Sequence, residues 1–291
     1  MIATTIWGGL GNQMFMYAAA RAMSLRNHTE LGLNLKQGFK DDYKFHRHLE
    51  LQHFQMELPE AGVDSFNIPL GKLFRKISKM VGFNILKPSS KVLNQTENIE
   101  DLLTYKGKDA FMNGYWASEE YFVDFKEIIK KDFTIREKEL RKEVFEELRY
   151  MHSLGNNLIM VGVRRYQECK DSSYIPPGGL TADKEYYKKA MDYIASKVDD
   201  PVFCVFSQAH NWVRENVDDS KYKMYYVQSK TGENSAIEDL YLMNHCDHYI
   251  ISNSTYYWWG AYLSKNDKKI VVCPKANTPH ANCKDWIEIS K

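Results

Sequence analysis

The chain begins with an apolar run, a glycine-rich loop and an amphipathic segment. Residues 2–7 are mainly apolar, residues 8–13 read Gly-Gly-Leu-Gly-Asn-Gln, and apolar positions from 14 to about 26 recur at helical spacing. This order predicts a strand, a loop and a helix. The apolar positions within 29–35 predict a second strand.

From residue 157 onward, short apolar runs alternate with amphipathic segments. The runs predict strands at 157–163, 201–206, 223–228, 248–252 and 269–273. The segments between them predict helices at 183–197, 208–216, 235–245 and 256–265. Such alternation indicates a parallel sheet with helices on both faces. A charged helix at 137–151 would link the halves, so we expect two α/β lobes separated by a cleft, 1–152 and 153–291.

The stretch 37–110 shows one clear pattern, a basic amphipathic helix at 70–83. Its apolar positions are Leu70, Leu73, Phe74, Ile77 and Val81, and its basic positions are Lys72, Arg75, Lys76 and Lys79. The pattern is compatible with a surface helix of the first lobe or with a peripheral contact to a membrane.

Composition narrows the classes of function. The 291 residues are 44% hydrophobic and 26% charged with a net charge of +1, which favours a folded protein and gives no reason to expect nucleic-acid binding. The five cysteines form no C-x-x-C pair, so neither a disulfide framework nor a zinc site is expected. The N-terminus does not resemble a signal peptide, and we expect a cytoplasmic protein, with a peripheral position at the inner membrane face as an alternative. The Asn-Ser-Thr triplet at 253–255 is then not a glycan site.

Polar residues follow several of the predicted strands, where open α/β sheets bind ligands. The positions are Gly9, Gly11, Asn12 and Gln13 after the first strand, Arg164 and Arg165 after 157–163, Ser207 after 201–206, and Asn253, Ser254 and Thr255 after 248–252. Backbone N–H groups at helix starts, together with two arginines, would bind an anion. The serines and Thr255 could instead be helix caps, and the arginines a surface pair.

The kind of anion follows from what the loops lack. The glycine loop fails the dinucleotide pattern G-x-G-x-x-G at Met14, although Glu30 lies near the distance expected for a ribose-binding acid, so an oxidoreductase stays an alternative. No Asp-x-Asp stretch is present to hold a metal on a diphosphate, and residues 245–248, His-Cys-Asp-His, straddle a helix end and a strand start. A diphosphate ligand bound without metal, such as a nucleotide sugar, fits best.

Three ordered segments resemble the α-1,2-fucosyltransferases of glycosyltransferase family 11. They are Gly8-Gly9-Leu10-Gly11-Asn12-Gln13-Met14-Phe15, Asn113-Gly114-Tyr115-Trp116-Ala117-Ser118-Glu119, and Ser252-Asn253-Ser254-Thr255-Tyr256-Tyr257-Trp258-Trp259-Gly260-Ala261. The resemblance implies a GT-B fold, a GDP-fucose donor, inversion at the anomeric carbon and no metal. It also implies transfer to a galactoside 2-hydroxyl in surface glycan synthesis, with a galactose-containing oligosaccharide acceptor, free or lipid-linked.

The resemblance also implies roles for single residues. Arg164 and Arg165 match the arginines of an H-x-R-R-x-D motif that grips the donor diphosphate, residues 253–255 match the nucleotide loop, and Asn12 matches an asparagine near the transferred sugar. Glu238 heads the segment that leads into the last motif and is added to the donor site. Inverting transfer also needs a base, and Glu168 and Asp171 are the candidates.

The chain departs from the family pattern at the donor end. Gly162 stands at the histidine position of the arginine motif, Gln167 at its aspartate, and Ala209 at the second aspartate of a Ser-Asp-Asp stretch. A different GDP-sugar, or a catalytically weak sugar-nucleotide binder, is therefore an alternative to fucosyl transfer from GDP-fucose.

Overall fold

The computed structural model describes residues 1–40, 42–61, 91–95, 98–166, 181–218, 220–228, 232, 234–275 and 281–290. These residues form two compact units, Met1–Thr134 and Ile135–Lys291. The helix expected at 70–83, the base candidates Glu168 and Asp171, and Gln167 lie outside the described residues. No described helix is both long enough and apolar enough to cross a bilayer.

The first unit is built on a parallel sheet. Its strands are β1 Ile2–Thr5, β2 Leu31–Asn34, β3 Lys91–Asn94 and β4 Ala110–Asn113, and its helices are α1 Leu10–Arg26, α2 Ile99–Leu103 and α3 Lys126–Asp132. The strands lie in the order β2-β1-β4-β3, and every pair is parallel. Most of α1 is buried, because small and apolar residues cover nearly all of its circumference. Short 3-10 turns occur at 37–39, 51–53, 119–121 and 123–125.

The second unit contains a larger parallel sheet. Its strands are β5 Asn157–Gly162, β6 Pro201–Phe206, β7 Lys223–Tyr226, β8 His248–Ile250, β9 Val271–Pro274 and β10 Ile287–Ile289. Its helices are α4 Lys142–Leu154, α5 Lys184–Ala195, α6 His210–Asn216, α7 Ser235–Asn244 and α8 Thr255–Tyr262, after a 3-10 turn at 137–139. The strand order is β10-β9-β8-β5-β6-β7, with all neighbours parallel.

Helices cover both faces of this second sheet. On one face, Ile159 and Val161 of β5 pack in one core with Tyr186 and Tyr187 of α5. On the other face, α8 approaches β5 so closely that a Cβ on Gly260 would lie 3.2 Å from Met160 Cε. The expected α/β class, with a C-terminal parallel sheet covered on both faces, is therefore confirmed.

The division between the units falls before α4, whereas 152/153 was expected. Helix α4 packs within the second unit, where the rings of Phe145 and Tyr241 are 5.6 Å apart in an edge contact. Arg141, just before α4, bonds to Glu238 of α7. The contacts of α4 thus place it with the second sheet, a pairing that the charged pattern at 137–151 did not reveal.

Candidate functional site

Each sheet reverses its strand order at one position, and ligands of open α/β sheets bind at the carboxyl ends of strands there. In the second unit, successive strands run outward from β5 through β6 and β7, and the chain then returns to place β8 on the other side of β5. Arg164 follows β5 and residues 253–255 follow β8, so these two predicted groups leave adjacent strands.

Buried hydroxyl groups fix the backbone at this edge. Ser207 Oγ donates to the Val163 carbonyl at 2.8 Å and accepts from the Ala209 N–H at 2.9 Å. Ser207 is 6% exposed, and α6 begins only at residue 210, so this serine ties two strand ends together rather than capping the helix. Tyr186 of α5 donates to the Ile251 carbonyl at 2.6 Å and holds the end of β8.

Gly162 and Tyr257 share one volume below this edge. A Cβ on Gly162 would lie 2.5 Å from Tyr257 Cγ and 2.8 Å from each Cδ atom, so the ring occupies the space of a side chain there. The Tyr257 hydroxyl donates to the Phe206 carbonyl at 2.8 Å. The motif that the sequence resembles has histidine at the position of Gly162. Here the Tyr257 ring fills the space of that side chain, a connection that sequence inspection alone did not reveal.

The paired arginines point to different surroundings. The guanidinium carbon of Arg164 lies 4.6 Å from the ring centre of Tyr166, whose φ of 58° is left-handed. The guanidinium of Arg165 lies over Trp212 of α6 at 4.3 Å, and its Nη1 reaches the Ala182 carbonyl at 3.5 Å. The two predicted diphosphate ligands therefore lie in different side-chain surroundings.

Residues 253–255 form the expected turn from strand to helix. Asn253, Ser254 and Thr255 are partly exposed, and Ser254 is the N-cap residue of α8 without a side-chain cap bond. Behind the turn, Trp259 is fully buried and Trp258 is 4% exposed, so the aromatic residues anchor the turn in the core. Helix N-terminal N–H groups of this kind attract anions.

Glu238 is occupied within the protein. Its side chain is 2% exposed, and its two carboxylate oxygens accept from Arg141 Nε at 2.8 and 3.0 Å, with a further close contact from Arg141 Nη2. The Arg141 backbone N–H also donates to it at 3.2 Å. These contacts hold the start of α4 to α7, which gives Glu238 a structural role. The donor contact expected for Glu238 stays a prediction.

In the first unit the order reverses between β1 and β4, and the glycine loop follows β1. Gly8 has a φ of 76°, which favours glycine, and a Cβ there would come within 3.2 Å of Asn12 Nδ2. Gly9 is the N-cap residue of α1, and Gly11 is buried in its first turn. Asn12 thus lies against Gly8 in the first turn of α1, which begins at Leu10 and not at residue 14 as expected.

Gln13 connects the glycine loop to a second loop. It is fully buried, and its Nε2 donates to the carbonyls of Gly8 and His48, both at 2.8 Å. Its Oε1 accepts from the Glu50 N–H at 2.9 Å. All these contacts are internal, so the Gln13 side chain fixes loop geometry. A ligand contact was expected for Gln13, whereas here its amide group bonds to the protein backbone.

The second loop carries ionisable residues that sequence inspection did not select. Glu50 is 8% exposed, and its Oε1 lies 3.5 Å from Nε2 of His48, whose side chain is 49% exposed. Burial raises the pKa of Glu50 to about 7, against the smaller lowering effects of His48 and Arg47. The Arg47 guanidinium carbon would lie 3.7 Å from a Cβ on Gly9. Titratable groups thus adjoin the glycine loop, and the run of charged residues at 46–50 was the available signal.

A partly exposed aromatic pair lies at the same reversal of the first sheet. Trp7, after β1, is 37% exposed, and its ring centre lies 4.2 Å from that of Tyr115, after β4. Burial raises the pKa of Tyr115 to about 12, with a contribution from Asp42. The pair offers an aromatic surface beside the glycine loop.

Metal-binding chemistry is not assembled in the described part of the chain. No group of three or more His, Cys, Asp or Glu side chains there could hold an ion. His245 Nδ1 contacts the Tyr241 carbonyl at 2.7 Å, whereas His248 Nδ1 accepts from the Ile270 N–H at 2.9 Å, so the histidines of 245–248 serve separate backbone contacts.

Comparison with known proteins identifies relatives along the whole chain. The sequence model described as Glycosyl transferase family 11 matches residues 1–289. An alpha-1,2-colitosyltransferase of Escherichia coli is 26% identical over 276 residues, which cover 94% of this chain and 91% of that protein. A galactoside alpha-(1,2)-fucosyltransferase 1 of Ateles belzebuth is 31% identical over 164 residues, 54% of this chain and 43% of that protein.

Among solved structures, the chain is similar to a mutant of Arabidopsis thaliana FUT1 in complex with GDP. That likeness has a TM-score of 0.49 at 14% identity and covers 93% of this chain and 69% of that one.

Proposed function

The chain belongs to glycosyltransferase family 11, and we propose that it is an inverting transferase that moves fucose from GDP-fucose to the 2-hydroxyl of a galactoside. The donor nucleotide is assigned to the strand ends of the second unit. The observation that supports this best is the position of Arg164 and residues 253–255 on adjacent strands at the reversal of the second sheet. Membership of this family argues against the alternative of a dinucleotide-dependent oxidoreductase.

The donor chemistry needs positive charge where the diphosphate leaves. Inverting transfer is a single displacement in which the bond from C1 of the sugar to the phosphate oxygen breaks as the acceptor oxygen attacks. Arg164 and the N–H groups at the start of α8 would stabilise the negative charge that develops on GDP. Arg165 contributes through Trp212 and the backbone of Ala182, which steady the segment after β5.

A second candidate differs only in the sugar. The similarity to an alpha-1,2-colitosyltransferase extends over nearly the whole chain, and Gly162 with Tyr257 changes the donor edge relative to the family motif. We therefore include transfer of colitose or another sugar from its GDP-linked form. A third candidate is a protein that binds sugar nucleotides but catalyses transfer only weakly. Binding of GDP without turnover of any GDP-linked sugar would support it.

The acceptor is proposed as a galactose-containing oligosaccharide, free or lipid-linked, of a surface glycan. The proposal needs neither a metal nor nucleic acid. A cytoplasmic location, with peripheral membrane contact through 70–83, stays a prediction from the sequence.

The test is transfer from GDP-linked fucose, colitose and mannose to lactose and related galactosides. Arg164→Ala should lower the rate by roughly 10²–10³, the effect of removing one preorganised donor from a developing negative charge. Arg149→Ala removes an exposed arginine of α4 and is the matched control. Wild-type activity in Arg164→Ala would refute the assignment of Arg164, and no turnover of any donor would refute transfer itself.

A further inference from the structure

Two aromatic residues, Trp7 and Tyr115, lie just beyond the carboxyl ends of adjacent strands in the first sheet. Trp7 follows β1 and Tyr115 follows β4, and these strands pair where the strand order reverses. The ring centres are 4.2 Å apart, with an angle of 35° between the planes. Trp7 is 37% exposed and Tyr115 is partly exposed. Open α/β sheets bind ligands at this kind of edge, so the pair lies where a ligand is expected.

The polar atoms of both side chains are open to a ligand. Neither the indole N–H of Trp7 nor the hydroxyl of Tyr115 bonds to another residue that the structure describes. Burial raises the pKa of Tyr115 to about 12, so its hydroxyl keeps its proton and can donate. The pair therefore presents aromatic surface together with two hydrogen-bond donors, a combination typical of binding surfaces.

The main chain that carries each ring is fixed by a neighbouring segment. Gln95 Oε1 accepts from the backbone N–H of Tyr115 at 2.8 Å. A Cβ on Gly38 would lie 2.5 Å from Trp7 Cβ, so the turn after β2 packs directly against Trp7. Rings whose backbone is held before a ligand arrives lose little conformational freedom when the ligand binds.

The charged group that acts on Tyr115 is a carboxylate. Asp42 contributes to the raised pKa of Tyr115, and its two oxygens accept from the backbone N–H groups of Phe45 at 3.1 Å and Arg47 at 3.0 Å. The Arg47 guanidinium carbon lies 5.0 Å from the ring centre of Phe45. A carboxylate beside the rings accepts hydrogen bonds from hydroxyl groups and repels phosphate. The surroundings of Tyr115 thus favour a neutral ligand rich in hydroxyl groups.

We propose that Trp7 and Tyr115 form a platform that binds a neutral pyranose sugar, galactose in particular, an inference that rests on the proposed function for its choice of sugar. The face of an aromatic ring carries negative potential, and sugar C–H groups carry a slight positive charge, so a pyranose stacks with its C–H groups on the ring. In galactose the axial 4-hydroxyl leaves the C–H groups of C3, C4 and C5 on one face. The platform is built from residues of the first unit alone.

The experiment measures lactose binding to the full chain by saturation-transfer NMR, without a donor, in wild type, Trp7→Ala and Tyr115→Ala. Tyr150 of α4 is 54% exposed and pairs with Tyr225 at 5.3 Å, so Tyr150→Ala opens another surface aromatic pair and is the matched control. We expect the Kd for lactose to rise at least about 5-fold in each platform variant, the effect of losing one aromatic contact. In wild type, the protons on C3, C4 and C5 of galactose should receive the most saturation.

Conservative variants separate binding from folding. Trp7→Phe keeps a ring and Tyr115→Phe loses only the hydroxyl, so both should bind lactose more tightly than the alanine variants, with the wild-type melting temperature and GDP affinity. A wild-type Kd for lactose in Trp7→Ala, an equal rise in Tyr150→Ala, or no lactose binding by the wild-type chain overturns the platform. A loss of GDP affinity in place of lactose affinity also overturns it, because the rings would then contact a nucleobase.

Transfer is measured separately, so that the platform and the proposed function can fail independently. A chain that binds lactose through Trp7 but turns over no GDP-linked sugar refutes the proposed function and leaves the platform in place. A wild-type KM for lactose in an active Trp7→Ala variant refutes the platform and leaves the proposed function in place.

Discussion

Substituting Gly162 by alanine tests whether Tyr257 fills the space of a missing side chain. The new methyl carbon would lie 2.5 Å from Tyr257 Cγ, far inside van der Waals contact. The ring has little freedom to retreat, because Tyr257 is 6% exposed and its hydroxyl bonds to the Phe206 carbonyl at 2.8 Å. Overfilling a packed core costs about 1–3 kcal/mol. At roughly 2–4 °C per kcal/mol for a chain of this size class, the melting temperature should fall by about 2–12 °C.

The assay is a double-mutant cycle of Gly162→Ala and Tyr257→Ser followed by urea or thermal unfolding. In the Tyr257→Ser background the methyl group enters open space, so its cost should shrink and the coupling free energy should be about 1–3 kcal/mol. Gly260→Ala is the control, since the nearest atom there is the flexible Met243 Sδ at 2.9 Å, and a smaller loss is expected. Equal losses in both backgrounds, or none in the single variant, would refute the shared-volume interpretation.

Two further predictions concern buried polar groups. Gln13→Ala leaves the Gly8 and His48 carbonyls and the Glu50 N–H without their partner. Since an unsatisfied buried group costs about 1–3 kcal/mol, the free energy of unfolding measured in urea should fall by about 3 kcal/mol. A fall of less than about 1 kcal/mol would contradict the role of Gln13. Glu50 has its pKa raised from 4.5 to about 7 in the folded protein, so the folded state holds the proton more tightly and wild type loses stability relative to Glu50→Gln as pH rises from about 4.5 to about 7. The difference should approach 3 kcal/mol at most, and a pH-independent difference between the two proteins would contradict the burial argument.

The parallel sheet of the second unit was predictable because its strands are apolar and bounded by turn residues. Strand β6 has the expected bounds, since its apolar run is preceded by Asp200 and followed by Ser207. Strands β3 and β4 were not predicted. The burial of β3 shows why: only Leu93 is buried in Lys91–Asn94, so the apolar signal is one residue long. Strand β10 has only three residues, which is likewise too short to give a recognisable apolar pattern.

The candidate site was predictable where it follows a strand and not where it depends on distant contacts. Arg164 and residues 253–255 could be selected because they directly follow predicted strands. The pairing of His48 with Glu50 could not, because it depends on Gln13, which is 35 residues from His48. No local pattern carries such a contact.

The shared volume of Gly162 and Tyr257 also couples these two positions in any change of the sequence. A side chain introduced at residue 162 while the tyrosine is present meets the overlap that even a single methyl group produces, at 2.5 Å. Removing the tyrosine ring alone leaves a cavity, at a cost of a few kcal/mol. A larger residue at 162 should therefore be tolerated only together with a smaller residue at 257.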